Sequence, residues 1–186
     1  NENQLNLPSN FYVDANDNNY VADRLNYRIQ KWSPGATSGV TVAGTGVKGN
    51  GLNQLDTISN VFVNELGEIF VAESIKGIVK KFPANSTQGT NGVIVANVNG
   101  IIRQIKLDAA GNIYASGFDN NTDFIKKFPY NSTATTPGVI VAGGNSRGAG
   151  ANQLYDPNGF SFDENGSIYI AEYANHRISK WIQTNG

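Results

Sequence analysis

Four times along this 186-residue chain the same phrase returns: a short apolar strand, a turn led by Asp or Asn, and a second apolar strand. Residues 11–23 read FYVDANDNNYVAD, 61–73 VFVNELGEIFVAE, 105–117 IKLDAAGNIYASG and 160–172 FSFDENGSIYIAE. Asp14, Asn64, Asp108 and Asp163 lead the turns, and an aromatic residue follows each by six positions: Tyr20, Phe70, Tyr114 and Tyr169. Apolar alternation on both sides of an Asp/Asn/Gly turn is the signature of a β-hairpin. Repetition constrains the chain further, because a supersecondary unit that recurs must bury its faces against its own copies.

A third strand follows each hairpin: YRIQKW (27–32), GIVKKF (77–82), DFIKKF (123–128) and HRISKW (176–181). Its alternation sets Ile29, Val79, Ile125 and Ile178 on one face, with Lys31, Lys81, Lys127 and Lys180 two positions on, and the closing aromatics Trp32, Phe82, Phe128 and Trp181 on the other. A fourth strand is plain in three copies, GVTVAG (39–44), GVIVAN (92–97) and GVIVAG (138–143), while the last copy runs out at IQTNG. The turn anchors are spaced 50, 44 and 55 residues apart. The variation falls in the glycine-rich links 44–53 and 143–152, in the short NVNG link 97–100, and in an insertion around 119–123 of the third copy. Four-stranded units of this length predict an all-β propeller, one domain over 1–186 with repeats at about 4–53, 54–100, 101–152 and 153–186. The period of two and the 21 glycines exclude a helical solenoid.

The phrase G-x-I-Y-V-A-D followed by N-H-R-I-x-K-W resembles the NHL repeat. Asn165–Trp181 carries it most fully, with Asn175, His176 and Arg177 at the name-giving positions. The first copy keeps LNYRIQKW, with Tyr27 in the histidine's place, and the second and third keep only the strand pattern. The resemblance implies a propeller of four-stranded blades, a family that usually closes six. Three outcomes follow for a chain with four copies and an unfinished last one. It is a segment of a longer propeller, the expectation the absence of Met at position 1 favours; it closes on itself as a four-bladed ring; or its open last blade pairs with another subunit.

Composition narrows the functions. Fourteen basic against fifteen acidic residues give a net charge of −1, which is not the basic footprint of a nucleic-acid binder. No apolar run approaches the roughly 20 residues of a membrane-spanning helix, so membrane insertion is not expected, and no signal peptide is visible. Cysteine is absent and His176 is the only histidine. A zinc site of the His/Cys type needs three or four ligands, so the histidine-bound zinc of an NHL-family lyase has no counterpart here. His176 reads as structural: Asn175, His176 and Arg177 are expected to cap the loop entering the third strand, their side chains bonding backbone groups between blades.

Arg28 and Arg177 occupy matching positions and are expected to pair with Asp23, Glu73 and Glu172 at the ends of the second strands. Both acid and arginine are missing from the third copy, which has Ser116-Gly117 and Phe124. The runs DANDN (14–18) and DEN (163–165) superficially resemble calcium loops, but the first lacks the glycine and terminal glutamate of an EF-hand, and Asp in such turns caps backbone amides. Lys80-Lys81 and Lys126-Lys127 read as a solvated strand face. Four Asn-x-Ser/Thr sequons, at Asn85, Asn131, Asn120 and Asn165, are candidate glycosylation sites. Asn85 and Asn131 align, so glycans there would decorate one rim.

No catalytic residue, cofactor-binding residue or metal ligand is expected. The residues predict a non-enzymatic binding or structural module, extracellular and N-glycosylated. It would work through a protein partner or through self-association into a homo-oligomer or filament at its open last blade. The competing expectation is a calcium-dependent, lactonase- or hydrolase-like propeller enzyme with a pocket on the central axis, for which Asp23, Glu73 and Glu172 would be the nearest acids.

Overall fold

The computed structural model describes residues 3–183. Residues 1–2 and 184–186, the extremities of the NENQLNLP and IQTNG segments, lie outside the described residues. The fold is all-β, with a single 3-10 turn at Arg24–Asn26. Its fifteen strands form four antiparallel meanders. The first blade is β1 (Asn10–Val13), β2 (Asn19–Asp23), β3 (Arg28–Trp32) and β4 (Val40–Gly44). The second is β5 (Ile58–Val63), β6 (Ile69–Glu73), β7 (Ile78–Phe82) and β8 (Val93–Asn97). The third is β9 (Ile101–Leu107), β10 (Ile113–Asp119), β11 (Thr122–Phe128) and β12 (Val139–Ser146). The last has three strands among the described residues: β13 (Pro157–Phe162), β14 (Ile168–Glu172) and β15 (Arg177–Trp181).

Local chemistry sets each hairpin. The Asp14 carboxylate accepts the amides of Asn16 and Asn18, both at 2.9 Å. Asp108 does the same for Ala110 (3.0 Å) and Asn112 (2.9 Å), and Asp163 for Asn165 (3.0 Å) and Ser167 (2.9 Å). Each turn then needs one left-handed residue, supplied by Gly67, Gly111 and Gly166 at φ of 77°, 79° and 78°, and by Asp17 at 59° in the first copy. The acids read as possible calcium ligands are therefore occupied by their own turns.

The blades stack through their faces, innermost strand beside innermost strand: β1 on β5, β5 on β9, β9 on β13. The trailing face of one blade meets the leading face of the next. Tyr20, Ala22 and Ile29 pack on Leu55, Val61 and Val71 in the first junction. Phe70, Ala72 and Val79 pack on Ile102, Ile105 and Ala115 in the second, and Tyr114 and Ile125 on Leu154 and Phe160 in the third. The closing aromatics on the leading faces need a bare backbone beside them. A Cβ at Gly39, Gly92 or Gly138 would meet Trp32, Phe82 or Phe128 at 2.6, 2.9 and 2.5 Å, which explains the glycine that opens each fourth strand.

A polar peg crosses two of these junctions. Ser86 Oγ donates to Val42 O on β4 at 2.6 Å, and Ser132 Oγ donates to Val95 O on β8 at 2.6 Å. Both serines are buried and lie in the loop between third and fourth strands of their own blade. Among the described residues the outer faces of the first and last blades have no such neighbour: Phe11 and Ile178 are each 66% exposed, so the four blades as described do not close on one another. Replacing either peg should leave a buried carbonyl unpaired, so Ser86→Ala and Ser132→Ala are each expected to lower unfolding free energy by about 1–2 kcal/mol. Thr87→Ala, on an exposed neighbour, should stay within about 0.5 kcal/mol, and chemical denaturation measures the difference.

Candidate functional site

Three features gather the charged and recognisable side chains: clamps at the ends of the second strands, the aligned loops that carry sequons, and the two uncovered blade faces. The clamps come first because they hold every acid that a central-axis enzyme would need. Asp23, Glu73 and Glu172 are fully buried. Each accepts an amide just before its blade's first strand: Asn6 N at 2.7 Å, Asp56 N at 2.9 Å and Tyr155 N at 3.2 Å. The next residue in each case is left-handed (Leu7 at φ 45°, Thr57 at 35°, Asp156 at 51°), a conformation that costs a non-glycine residue energy. The acid thus secures a strained entry into the innermost strand.

A cation completes each clamp from within the same blade. Arg28 Nε lies 2.8 Å from Asp23, and Arg177 Nε 2.8 Å from Glu172. In the second blade Lys76 and Lys80 share Glu73 at 2.7 and 2.8 Å; the Lys80 contact is an ion pair outside hydrogen-bond angle. The same cations reach into the glycine-rich links: Lys80 Nζ donates to Gly51 O and Gln54 O at 2.9 and 2.6 Å, and Arg177 to Ala149 O and Gln153 O at 2.7 and 3.3 Å. The expected Arg–acid pairing is what the structure shows, but the solvated reading of the lysines needs correction. Lys80 is buried because it replaces the arginine from two residues along the same face of β7, where Ile78 stands opposite Glu73, and the half-buried Lys126 donates to Val98 O at 2.6 Å.

The third blade has its clamp too. Gly117 stands at the acid's place, and Asp123, buried on β11 and opposite Phe118, substitutes from the neighbouring strand. It accepts Asp156 N at 2.9 Å and pairs with Arg147 at 3.2 Å, tying the third blade to the entry of the fourth. Sequence alignment missed it because the insertion shifts the carboxylate by strand as well as by residue. The one available signal was an arginine, Arg147, in the glycine-rich link of a copy that has no acid at the end of its second-strand motif.

The NHR phrase divides its labour. Asn175 Nδ2 donates to Glu172 Oε2 at 2.6 Å and to Gly148 O at 2.9 Å, and Asn26 makes the same pair of bonds to Asp23 (2.9 Å) and Gln4 O (3.0 Å). His176 contributes backbone: it is left-handed at φ 51°, as are Tyr27 at 50° and Gly77 at 64° in the matching places. Its side chain is exposed. On the trailing faces of the third and last blades the third-strand lysine sits by its turn acid and strand aromatic, whereas Lys81 of the second blade pairs with Glu68. Lys180 lies 3.0 Å from Asp163 with its ammonium 5.0 Å from the centre of the Tyr169 ring, and Lys127 3.8 Å from Asp108 and 5.3 Å from Tyr114.

All four sequon asparagines are exposed: Asn85 and Asn131 at matching loop positions on adjacent blades, Asn120 in the β10–β11 turn, and Asn165 in the β13–β14 turn. The repetition of Asn-Ser-Thr at 85–87 and 131–133 already has a structural cause, since Ser86 and Ser132 are the inter-blade pegs. The remaining feature is the trailing face of the last blade. Ile178 and Tyr169 are 66% and 38% exposed, whereas Val79 and Phe70 at the same positions of the second blade are buried. Among the described residues no group of three or more His, Cys, Asp or Glu side chains is placed to hold a metal.

Burial works to raise the Glu172 carboxyl, but hydrogen bonds from Arg177, Ser179 and Asn175 outweigh it and hold it below the usual range. A carboxyl depressed in the fold stabilises above its unfolded value and loses that contribution as pH falls towards its folded value. Glu172→Gln is therefore expected to cost about 2–4 kcal/mol at neutral pH by stranding Arg177. It should also flatten the loss of stability below about pH 4.5, read from denaturant midpoints across a pH series.

Residues 154–181 match the family described as NHL repeat, the span from the last link into β15. Comparison with curated sequences gives no match. Among solved structures the chain superposes with a streptogramin B lyase at a TM-score of 0.64 and 12% identity, covering 96% of this chain and 52% of that one. A catalytically inactive virginiamycin B lyase from Staphylococcus aureus with quinupristin gives 0.64, 11%, 96% and 53%. The PQQ domain of a pyranose dehydrogenase from Coprinopsis cinerea gives 0.61, 17%, 96% and 48%. These likenesses are of fold, and the chain spans about half the length of the structures it matches. With four blades of one repeat and the family's phrase in the last, the chain is an NHL-repeat β-propeller.

Proposed function

We propose that this propeller is a non-enzymatic binding or structural module that contacts protein through the open trailing face of its last blade. The observation that carries the reading is Ile178, 66% exposed at a position whose counterparts Ile29, Val79 and Ile125 are fully buried. Covering one such side chain is worth roughly 1.5–3 kcal/mol, and a sheet face patterned for burial favours a protein surface over a small molecule. The propellers it superposes on include a lyase and a dehydrogenase domain, so fold alone is neutral between binding and catalysis. The residues tip the balance: Asp23, Asp123 and Glu172 are each paired with an arginine, and Glu73 with two lysines. The exposed Asn85 and Asn131 support the second part of the reading, an extracellular, N-glycosylated protein.

In dilute solution an apolar fluorescent dye is expected to bind this face, and Ile178→Asp to lower the signal, leaving the part due to the exposed Phe11 face, while shifting stability by no more than about 0.5 kcal/mol. An unchanged dye signal would remove the reading. Millimolar calcium should leave the unfolding midpoint where it is; a rise abolished by Asp23→Asn would favour the calcium-dependent enzyme instead. Secretion from a eukaryotic host is expected to add glycans at Asn85 and Asn131, detected by mass spectrometry of tryptic peptides, and bare asparagines there would contradict the extracellular assignment.

A further inference from the structure

Five of the six Asn-Gly pairs in the sequence lie among the described residues, at 50–51, 91–92, 99–100, 158–159 and 165–166. An asparagine before glycine can modify itself: the glycine nitrogen attacks the side-chain carbonyl, and no Cβ on the glycine obstructs the approach. That nitrogen must first be free to move, so the fold ranks the five. Gly92 N donates to Leu52 O and Gly166 N to Asp163 O, both at 3.0 Å. Gly159 lies within β13, opposite Ala171. Gly100 is wedged against the end of β10, where a Cβ would meet Phe118 O at 2.5 Å. Gly51 is the exception. Its N–H reaches only a side chain, Gln54 Oε1 at 3.2 Å, through a solvent-exposed bond, and Asn50 is itself exposed.

The two glycine-rich links show what surrounds this pair. Residues 49–55 and 148–154 are built alike: Gly49 N and Gly148 N donate to Leu55 O and Leu154 O at 3.4 and 3.2 Å. Gly51 N and Gly150 N donate to the side-chain oxygens of Gln54 and Gln153 at 3.2 and 3.1 Å. Ala149 stands where the first link has Asn50, so the geometry does not depend on the asparagine. It depends on the spacing of the link's carbonyls. Lys76 Nζ holds Gly49 O at 2.8 Å and Lys80 Nζ holds Gly51 O at 2.9 Å, one on each side of Asn50. Both ammoniums share the buried Glu73.

We propose that Asn50 is a self-modification site, where cyclisation and hydrolysis turn the amide into a carboxylate and loosen the clamp on Glu73. Gly51 N forms a bond to Asn50 Cγ, and the bond from Cγ to the side-chain nitrogen breaks. That nitrogen leaves as ammonia, taking the proton that Gly51 N gives up. Water then opens the cyclic imide at either of its carbonyls. One opening gives aspartate. The other gives isoaspartate, whose main chain runs through Cβ and is longer by a methylene. The added length falls between Gly49 O and Gly51 O, so Lys76 and Lys80 no longer hold both carbonyls while sharing Glu73.

The folded chain is aged in mildly alkaline buffer, digested with trypsin and read by mass spectrometry, with an isoaspartate methyltransferase marking the isomer. Peptide 49–76 carries Asn50, and peptides 82–103 and 148–177 carry the other four pairs. Asn50 is expected to convert about fivefold faster than any of the four, the protection that one net hydrogen bond gives. In denaturant the five should draw level, because the fold is what separates them. Asn50→Ala, which copies the second link, should match the fresh chain in unfolding midpoint and keep that midpoint on ageing, while the aged natural chain unfolds at a lower one. Conversion of Asn50 no faster than that of the other four in the folded chain overturns the proposal. So does an isomerised chain that unfolds where the fresh one does, since the clamp would then be indifferent to the link.

Discussion

Each sheet in this molecule has two apolar faces and only three or four short strands, so a blade is stabilised by the neighbours that cover its faces. That demand organises everything else. The junction between successive blades is a single design used three times, with an aromatic and a β-branched residue on the trailing side and a run of aliphatic and aromatic residues on the leading side. Repeat proteins draw their stability from such nearest-neighbour terms. The end faces are the price of the design, because the surface that makes an interior junction is apolar wherever it is left uncovered.

The clamps serve that packing. In the first, second and last blades the innermost strand is entered through a left-handed residue, and a buried carboxylate holds the preceding amide. A buried acid requires a cation, and the cation in turn gathers the carbonyls of the glycine-rich link. The acids at the strand ends are therefore each paired with a cation, blade by blade. The third blade departs from this plan: β10 has no such acid, and Asp123 on β11 pairs with Arg147 and holds the Asp156 amide at the entry of the fourth blade instead.

Much of this was legible in the sequence. The hairpins, the third-strand face carrying Ile29, Val79, Ile125 and Ile178, and the missing fourth strand of the last blade all follow from alternation and turn residues, whose rules are local. Arg28 and Arg177 were readable as partners of the strand-end acids because they recur in register. What escaped is what depends on geometry between strands or blades. Asp123 crosses to a neighbouring strand, and Lys80 turns inward where an arginine is absent. Ser86 and Ser132 hide a structural bond inside what looks like a modification signal. Alternation shows that a face is apolar, but only the arrangement of blades shows that Phe11 and Ile178 lie on faces nobody in the chain covers.

The central claim is that a blade is held in place by the faces of its neighbours. Hydrogen exchange followed by mass spectrometry tests it most directly. The account predicts that peptides from β5 to β10, whose blades are covered on both faces, exchange more slowly than those from β1–β2 and β14–β15, whose outer faces are exposed among the described residues. Equal protection in all four blades would contradict it.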